Sequence, residues 1–257
     1  MKTKIIGCSG LVCVLLTSIL WMSQGCVGGV PPITAFVVTA TPTLPVDYIS
    51  NFETGTVAIN PTLRNVNGFP GSFTVNTYGG GAFPNTVNNP FVLSNPGNGS
   101  NYAIHILCQL SSTGAYEADQ LVCTLTSGAP SYYYDASSFT GIQFDLNILP
   151  DDTSTHRVFQ IGTDVTTPAS ATGGTCSPVA NCYNHYQATL PSGSTGGWVT
   201  KTYNWNQITY PGYGNNNGPD ISTHLNKILF LQVSIDNQAS VTISKTDIWI
   251  DNVKFLP

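Results

Sequence analysis

The segment from Thr246 to Leu256 carries its chemistry on one face. Alternation sends Ile248 and Ile250 one way and Asp247, Trp249 and Asp251 the other. Two further segments repeat the scheme. In Gly141–Ile148, Ile142, Phe144, Leu146 and Ile148 oppose Gln143, Asp145 and Asn147; in Lys227–Ile235, Leu229, Leu231, Val233 and Ile235 oppose Phe230, Gln232 and Ser234. Carboxamides, carboxylates and an indole at alternate positions suit a polyhydroxylated ligand. Hydroxyls pair with amides and carboxylates in fixed orientation, and the C–H face of a pyranose stacks on an aromatic ring. The candidate ligand contacts are Gln143, Asp145, Arg157, Gln232 and Trp249, joined by Tyr78, His185 and Tyr186 from loops. Plainer readings stand beside these. Arg157 is equally a surface residue or a partner of Asp145, the Tyr132–Tyr134 run reads as loop packing, Trp198 as core and His105 as structural, while Trp205 has no clear face.

Catalytic chemistry is harder to find. Glu53 and Glu117 are the only glutamates, and a glycosidase needs two carboxyl groups flanking one bond. The chain has no Gly-x-Ser-x-Gly elbow, His-Glu-x-x-His zinc motif or phosphate loop. The expectation is that the protein is not an enzyme.

The elements that must position these groups are strands. Candidates are Ser72–Thr77, Tyr102–Leu110, Gln120–Leu125, Gly141–Ile148, His156–Gly162, Tyr186–Leu190, Val199–Asn204, Lys227–Ile235 and Asp247–Phe255. Short half-buried strands separated by Gly, Pro and Asn indicate an all-β, antiparallel two-sheet sandwich. Only Ile221–Asn226 suggests a helical turn, with Asp220 as its cap.

Four segments, in order, carry a family resemblance. They are Asn51-Phe52-Glu53-Thr54-Gly55; Asp135-Ala136-Ser137-Ser138-Phe139-Thr140-Gly141-Ile142-Gln143-Phe144; Cys176 to Tyr186, followed by Trp198 and Tyr203; and Trp249-Ile250-Asp251-Asn252-Val253. Together they resemble the galactose-binding-like jelly-roll carbohydrate-binding modules of bacterial β-glucanases, over roughly residues 47–257. The third segment resembles a lipoprotein-associated branch of these domains. The resemblance implies a jelly roll starting near Val46, with the strands that hold Asn51 and Trp249 close together. It also implies a structural calcium between the chain ends, held by Glu53 and Asp251, with Asn51 and Asp247 as further candidates. Two carboxylates plus carbonyls suit that hard cation. The alternative is that these residues cap strands or hydrogen-bond loops.

Composition excludes other functions. Only 8% of the residues are charged, against about 25% in average soluble domains. Lys2 and Lys4 lie in the leader, so six of the eight basic residues remain beside thirteen acidic ones. Nucleic acid, which needs clustered Lys and Arg, is not the partner.

Residues 1–25 read as a lipoprotein-type signal peptide. Lys2 and Lys4 precede the apolar run Ile5 to Met22, and Ser23-Gln24-Gly25-Cys26 resembles a site at which Cys26 becomes the lipidated first residue. Soluble secretion and an uncleaved anchor are the alternatives. All three export the domain, to the bacterial outer surface or periplasm. Residues 26–45, rich in Thr, Pro and Gly, read as an extended tether, and 46–257 as the domain. An oxidising compartment makes disulfides the reading for Cys108, Cys123, Cys176 and Cys182. Three connectivities exist, of which Cys108–Cys123 with Cys176–Cys182 is the economical one. The functional expectation is non-catalytic binding of a neutral polysaccharide or glycan at the cell surface. The alternative is a structural or adhesive surface lipoprotein that binds a protein.

Overall fold

A computed structural model describes residues 48–60, 70–78, 91–94, 97–110, 118–126, 133–154, 156–171, 173–212, 220–237 and 244–257. The leader, the tether and Cys26 lie outside them. The described residues form β1 (Tyr48–Ser50), β2 (Pro70–Tyr78), β3 (Phe91–Ser94), β4 (Ala103–Leu110), β5 (Ala118–Thr126), β6 (Gly141–Ile148), β7 (His156–Thr163), β8 (Tyr186–Thr189), β9 (Val199–Asn204), β10 (Ile228–Asp236) and β11 (Ser244–Leu256). All nine expected strands are present. The sequence reading missed β1 and β3, which are too short to display an alternation. Asp220 caps the expected turn by accepting from Ser222 N, and two short 3-10 turns follow, at Ile221–Thr223 and Leu225–Lys227.

The strands make two antiparallel sheets, the first in the order β3-β4-β11-β6-β9 with β1 also on β11, the second in the order β2-β5-β10-β7-β8. From β4 onward each strand crosses to the other sheet except at the β7–β8 hairpin, which is the winding of a jelly roll. The inward residues follow from alternation. Ile142, Phe144, Leu146 and Ile148 of β6 meet Leu231, Val233 and Ile235 of β10 and Phe159 and Ile161 of β7 in one core.

Both end motifs have local causes. Phe52 adopts φ 57° and Gly55 φ 66°, a turn that drives Phe52 inward edge-on to Phe73 at 5.1 Å. In β11 the register slips between Asp251 and Lys254, with Asn252 at φ 51°. Asn tolerates this left-handed conformation better than most residues. The bulge lets Val253 and Phe255 continue the inward face begun by Ile248 and Ile250. β1 pairs with β11 through Tyr48↔Lys254 and Ser50↔Val253, so the strands at the two ends of the domain lie together.

The Asp135–Gly141 segment closes the sandwich. The Asp135 carboxylate accepts from Ser137 N and Oγ at 2.9 and 2.6 Å, turning the chain so that Phe139 stacks on Phe255 at 4.9 Å. Trp205, which had no clear face in the sequence, is buried and donates from Nε1 to Phe139 O at 2.6 Å.

Cys176 and Cys182 form a disulfide. Cys108 and Cys123 do not: both are free and buried. They belong to different sheets. The Cys108 thiol sits against Asp119, and Cys123 lies four residues, about 13 Å, farther along β5. A disulfide needs Cα atoms within about 7 Å. Burial pushes both thiols up, and the Asp119 carboxylate adds to the effect at Cys108.

Candidate functional site

The outward face of the second sheet forms a cleft of about 760 Å³. Its floor is built in cross-strand rows. One row runs Val122, Gln232, Gln160, Gln187 over β5, β10, β7 and β8. Within it Gln232 Nε2 donates to Gln160 Oε1 at 2.5 Å, and Gln160 Nε2 donates to Gln187 Oε1 at 3.2 Å. A row displaced toward the end of β10 holds His156 and Asp236, whose Nδ1 and Oδ2 lie 2.7 Å apart. Among the described residues lining the cleft, Asp236 is the only carboxylate, and there is no Lys or Arg.

The opposite end of the cleft is aromatic. Phe230 faces outward beside Gly162, and His185 meets it edge-on at 4.9 Å and 84°. His185 is buried, and desolvation holds its imidazole down to about 4, so the ring is neutral at ordinary pH. The segment stapled by Cys176–Cys182 forms the rim. It carries Tyr183 at φ 70°, with its N–H donated to Thr166 O at 2.9 Å and 57% of its surface exposed.

The expected ligand contacts do not share one surface. Gln232 and His185 line the cleft. Gln143, Asp145 and Trp249 project outward from β6 and β11 of the first sheet, on the far side of the sandwich. Trp249 stacks there on His105 at 4.2 Å. Alternation assigns a residue to a face of its own strand but not to a sheet, and jelly-roll winding places β6 and β10 in different sheets.

Two other candidates point inward. Tyr186 is 1% exposed in the core, and burial pushes its phenol up. Arg157 is 1% exposed. It donates to Ser154 Oγ and O, both at 2.6 Å, and to Asp152 Oδ1 and Pro191 O. It therefore partners Asp152, not Asp145, and is neither a surface residue nor a ligand contact. Tyr78 ends β2, and its side chain lies outside the described residues. The sequence reading missed Phe230, Gln160, Gln187, Tyr183 and the His156–Asp236 pair. Outward alternation in β7 and β8 marks Gln160 and Gln187 only once both strands are known to flank Gln232.

The carboxylates expected to hold calcium separate into two places. Glu53 Oε1 accepts from Asn101 N at 2.8 Å and Tyr102 N at 3.1 Å, and its Oε2 accepts from Asn101 Nδ2 at 2.9 Å. Asp251 Oδ2 accepts from Asn98 N at 2.9 Å and Ser100 Oγ at 2.7 Å, and its Oδ1 accepts from Asn252 N at 2.7 Å. Asp145, directly opposite Asp251, accepts from Asn98 Nδ2, Asn252 Nδ2 and Thr200 Oγ1. Desolvation first, and the neighbouring Asp145 after it, raise the Asp251 carboxyl above its ordinary value. Asn51 Oδ1 accepts from Glu53 N at 3.3 Å, while Asp247 is engaged elsewhere, by His105 at 2.7 Å and Lys245 at 3.3 Å.

Every oxygen of Glu53, Asp145 and Asp251 thus faces an N–H or O–H donor. Among the described residues no three His, Cys, Asp or Glu side chains converge on one point. Calcium needs six to eight oxygen ligands that offer lone pairs. These contacts make a hydrogen-bonded clasp between residues 97–102 and the two end motifs.

No protein-family model and no curated protein matches the sequence. Similar solved structures include a family 11 carbohydrate-binding module from Clostridium thermocellum in complex with a β-1,3-1,4-mixed-linked tetrasaccharide. It is 15% identical with a TM-score of 0.45, over 72% of this chain and 88% of that one. The module CBM27-1 of Caldicellulosiruptor saccharolyticus, in complex with mannohexaose, is 14% identical with a TM-score of 0.41, over 82% and 95%. A surface glycan-binding protein from Prevotella bryantii is 12% identical with a TM-score of 0.35, over 66% and 54%. Likeness of this degree carries no argument about the ligand, and the sandwich rests on the chain's own strand order.

Proposed function

We propose that the protein binds a neutral glycan, without chemical turnover, in the cleft of the second sheet, and that a lipid on Cys26 tethers it to the bacterial membrane. The observation that carries the reading is the composition of the cleft. Among the described residues it combines a floor of neutral amides, an aromatic end and a single carboxylate already paired with His156. Amides offer donors and acceptors together, as a hydroxyl does, and aromatic rings take up the C–H faces of sugars. Among the described residues the cleft holds one carboxylate, whereas glycoside hydrolysis uses two carboxyl groups. The tether and leader motifs support surface display.

The test is retention of the purified protein on soluble and insoluble polysaccharides. A neutral polysaccharide is expected to hold it with an affinity that changes little between about 50 and 500 mM salt, since no ion pairs across the interface are screened. Gln160→Ala and Gln232→Ala should each weaken retention while melting near the parent temperature. If no polysaccharide retains the protein at any salt concentration, the carbohydrate reading fails.

A further inference from the structure

We infer that Asn98 is a site of spontaneous deamidation, and that its conversion to aspartate or isoaspartate opens the clasp at the chain ends. This does not depend on what the cleft binds.

Deamidation needs an asparagine whose side-chain carbonyl carbon can be reached by the backbone nitrogen of the next residue. Asn98 is followed by Gly99, and a glycine, with no Cβ, hinders that approach least. Gly99 is exposed at φ 70°, and a Cβ added to it would meet no atom within 4 Å. Its N–H donates to no acceptor among the described residues, so the attacking nitrogen is not tied into a ladder. Asn98 itself is half-buried, in the irregular stretch between β3 and β4. In the reaction Gly99 N gives up its proton to solvent and bonds to Asn98 Cγ, and the bond from Cγ to Nδ2 breaks to release ammonia. Water then opens the cyclic imide at either carbonyl. Opening at Cγ restores the normal backbone and leaves aspartate; opening at the main-chain carbonyl routes the chain through Cγ and leaves isoaspartate. The net change takes up a water and releases an ammonia, with no oxidant or reductant.

The consequence follows from what Asn98 holds. Its Nδ2 donates to Asp145 Oδ2 and its N–H to Asp251 Oδ2, both at 2.9 Å. Replacing Nδ2 by oxygen turns the donor facing Asp145 into an anionic acceptor. A third carboxylate then stands beside Asp145 and Asp251, where burial above all, and the charge of Asp145 after it, already hold the Asp251 carboxyl above its ordinary value. Isoaspartate also lengthens the main chain by a carbon, and the turn has no room for it. A Cβ on Gly97 would fall 2.0 Å from Ser100 Oγ, 2.6 Å from Tyr102 O and 2.7 Å from Asp251 Oδ2. The Asn98 N–H and the Ser100 hydroxyl that reach Asp251 Oδ2 are drawn out of place together. Asp251 lies in β11, on which β1 pairs, so the loosening falls where the chain enters the domain.

Incubation of the purified protein at mildly alkaline pH, with digestion and melting at intervals, tests the inference. Mass spectrometry should find the peptide that holds Asn98 converted from amide to acid, and an isoaspartyl methyltransferase assay should label it. The melting temperature should fall in step with the converted fraction. Asn98→Asp, which is the aspartate product, should melt at least about 3 °C below the parent from the start. Gly99→Ala, strained at its left-handed φ, starts lower but should convert several-fold more slowly and then hold its own melting temperature. Asn98 that stays intact while the urea-unfolded protein converts there would overturn the site. Asn98→Asp melting with the parent would overturn the opening of the clasp. A decline as fast in Gly99→Ala as in the parent would overturn the link between ageing and this residue.

Discussion

Arg157 reaches Asp152 inside the sandwich, with its side chain and that of Asp152 1% and 0% exposed. The same carboxyl group accepts from Ser154 Oγ and N and, through Oδ2, from Asp247 N at 2.9 Å. The pair thereby joins β7 to the turn before it and to β11. Breaking a buried pair from one side leaves a charge without a partner, so Arg157→Ala should cost about 3–5 kcal/mol of stability. Urea denaturation measures this. A loss below about 1 kcal/mol would place Arg157 among ordinary surface residues.

The clasp at the chain ends should behave as a hydrogen-bonded structure. EDTA is expected to leave the melting temperature unchanged, because no ion bound only by the folded state would be withdrawn. Glu53→Ala removes three acceptor contacts in an exposed setting and should cost about 1 kcal/mol. A melting temperature that falls with EDTA and recovers with calcium would restore the metal.

The fold was legible because strand alternation is a local signal. β6 and β10 show it over eight and nine residues, and the bulge at Asp251-Asn252 and the turn at Phe52–Gly55 are local as well. The site was legible only in part. Gln232 and His185 were found, but grouping Gln232 with Gln143 and Asp145 required knowing the sheet of each strand, which is a property of winding. Arg157 follows His156 in β7, and two adjacent polar residues leave the strand's parity undecided. The structure resolves it by turning Val158 and Gln160 into the cleft with His156. Phe230 alternates outward in the sequence, but its cross-strand neighbour Gly162 lies 68 positions earlier in the chain.

Lipidation gives a prediction independent of the cleft. If Cys26 carries the anchor, cells expressing the protein should incorporate labelled palmitate into it, and the protein should partition into detergent. Cys26→Ala should lose the label while the apolar run from Ile5 to Met22 is unaltered. Label retained in the variant would assign the lipid to another residue. Absence of label in the parent protein would favour soluble secretion or an uncleaved anchor.

His185 predicts how stability depends on pH. Its imidazole titrates at about 4 in the folded protein against 6.5 ordinarily, because burial disfavours the charged form. Between these values the unfolded chain binds more protons than the folded one, so stability rises with pH across the window. Its contribution is fully present above about 6.5 and is lost as pH falls toward about 4, to a total of about 3 kcal/mol. Melting temperatures across this range should therefore fall on acidification, and His185→Gln, which does not titrate, should fall less steeply. Because His185 stays neutral in the folded protein down to about 4, glycan affinity in the parent protein should hold across the same window while the melting temperature falls. Parallel melting profiles for parent and variant would show that His185 is not held neutral by its surroundings.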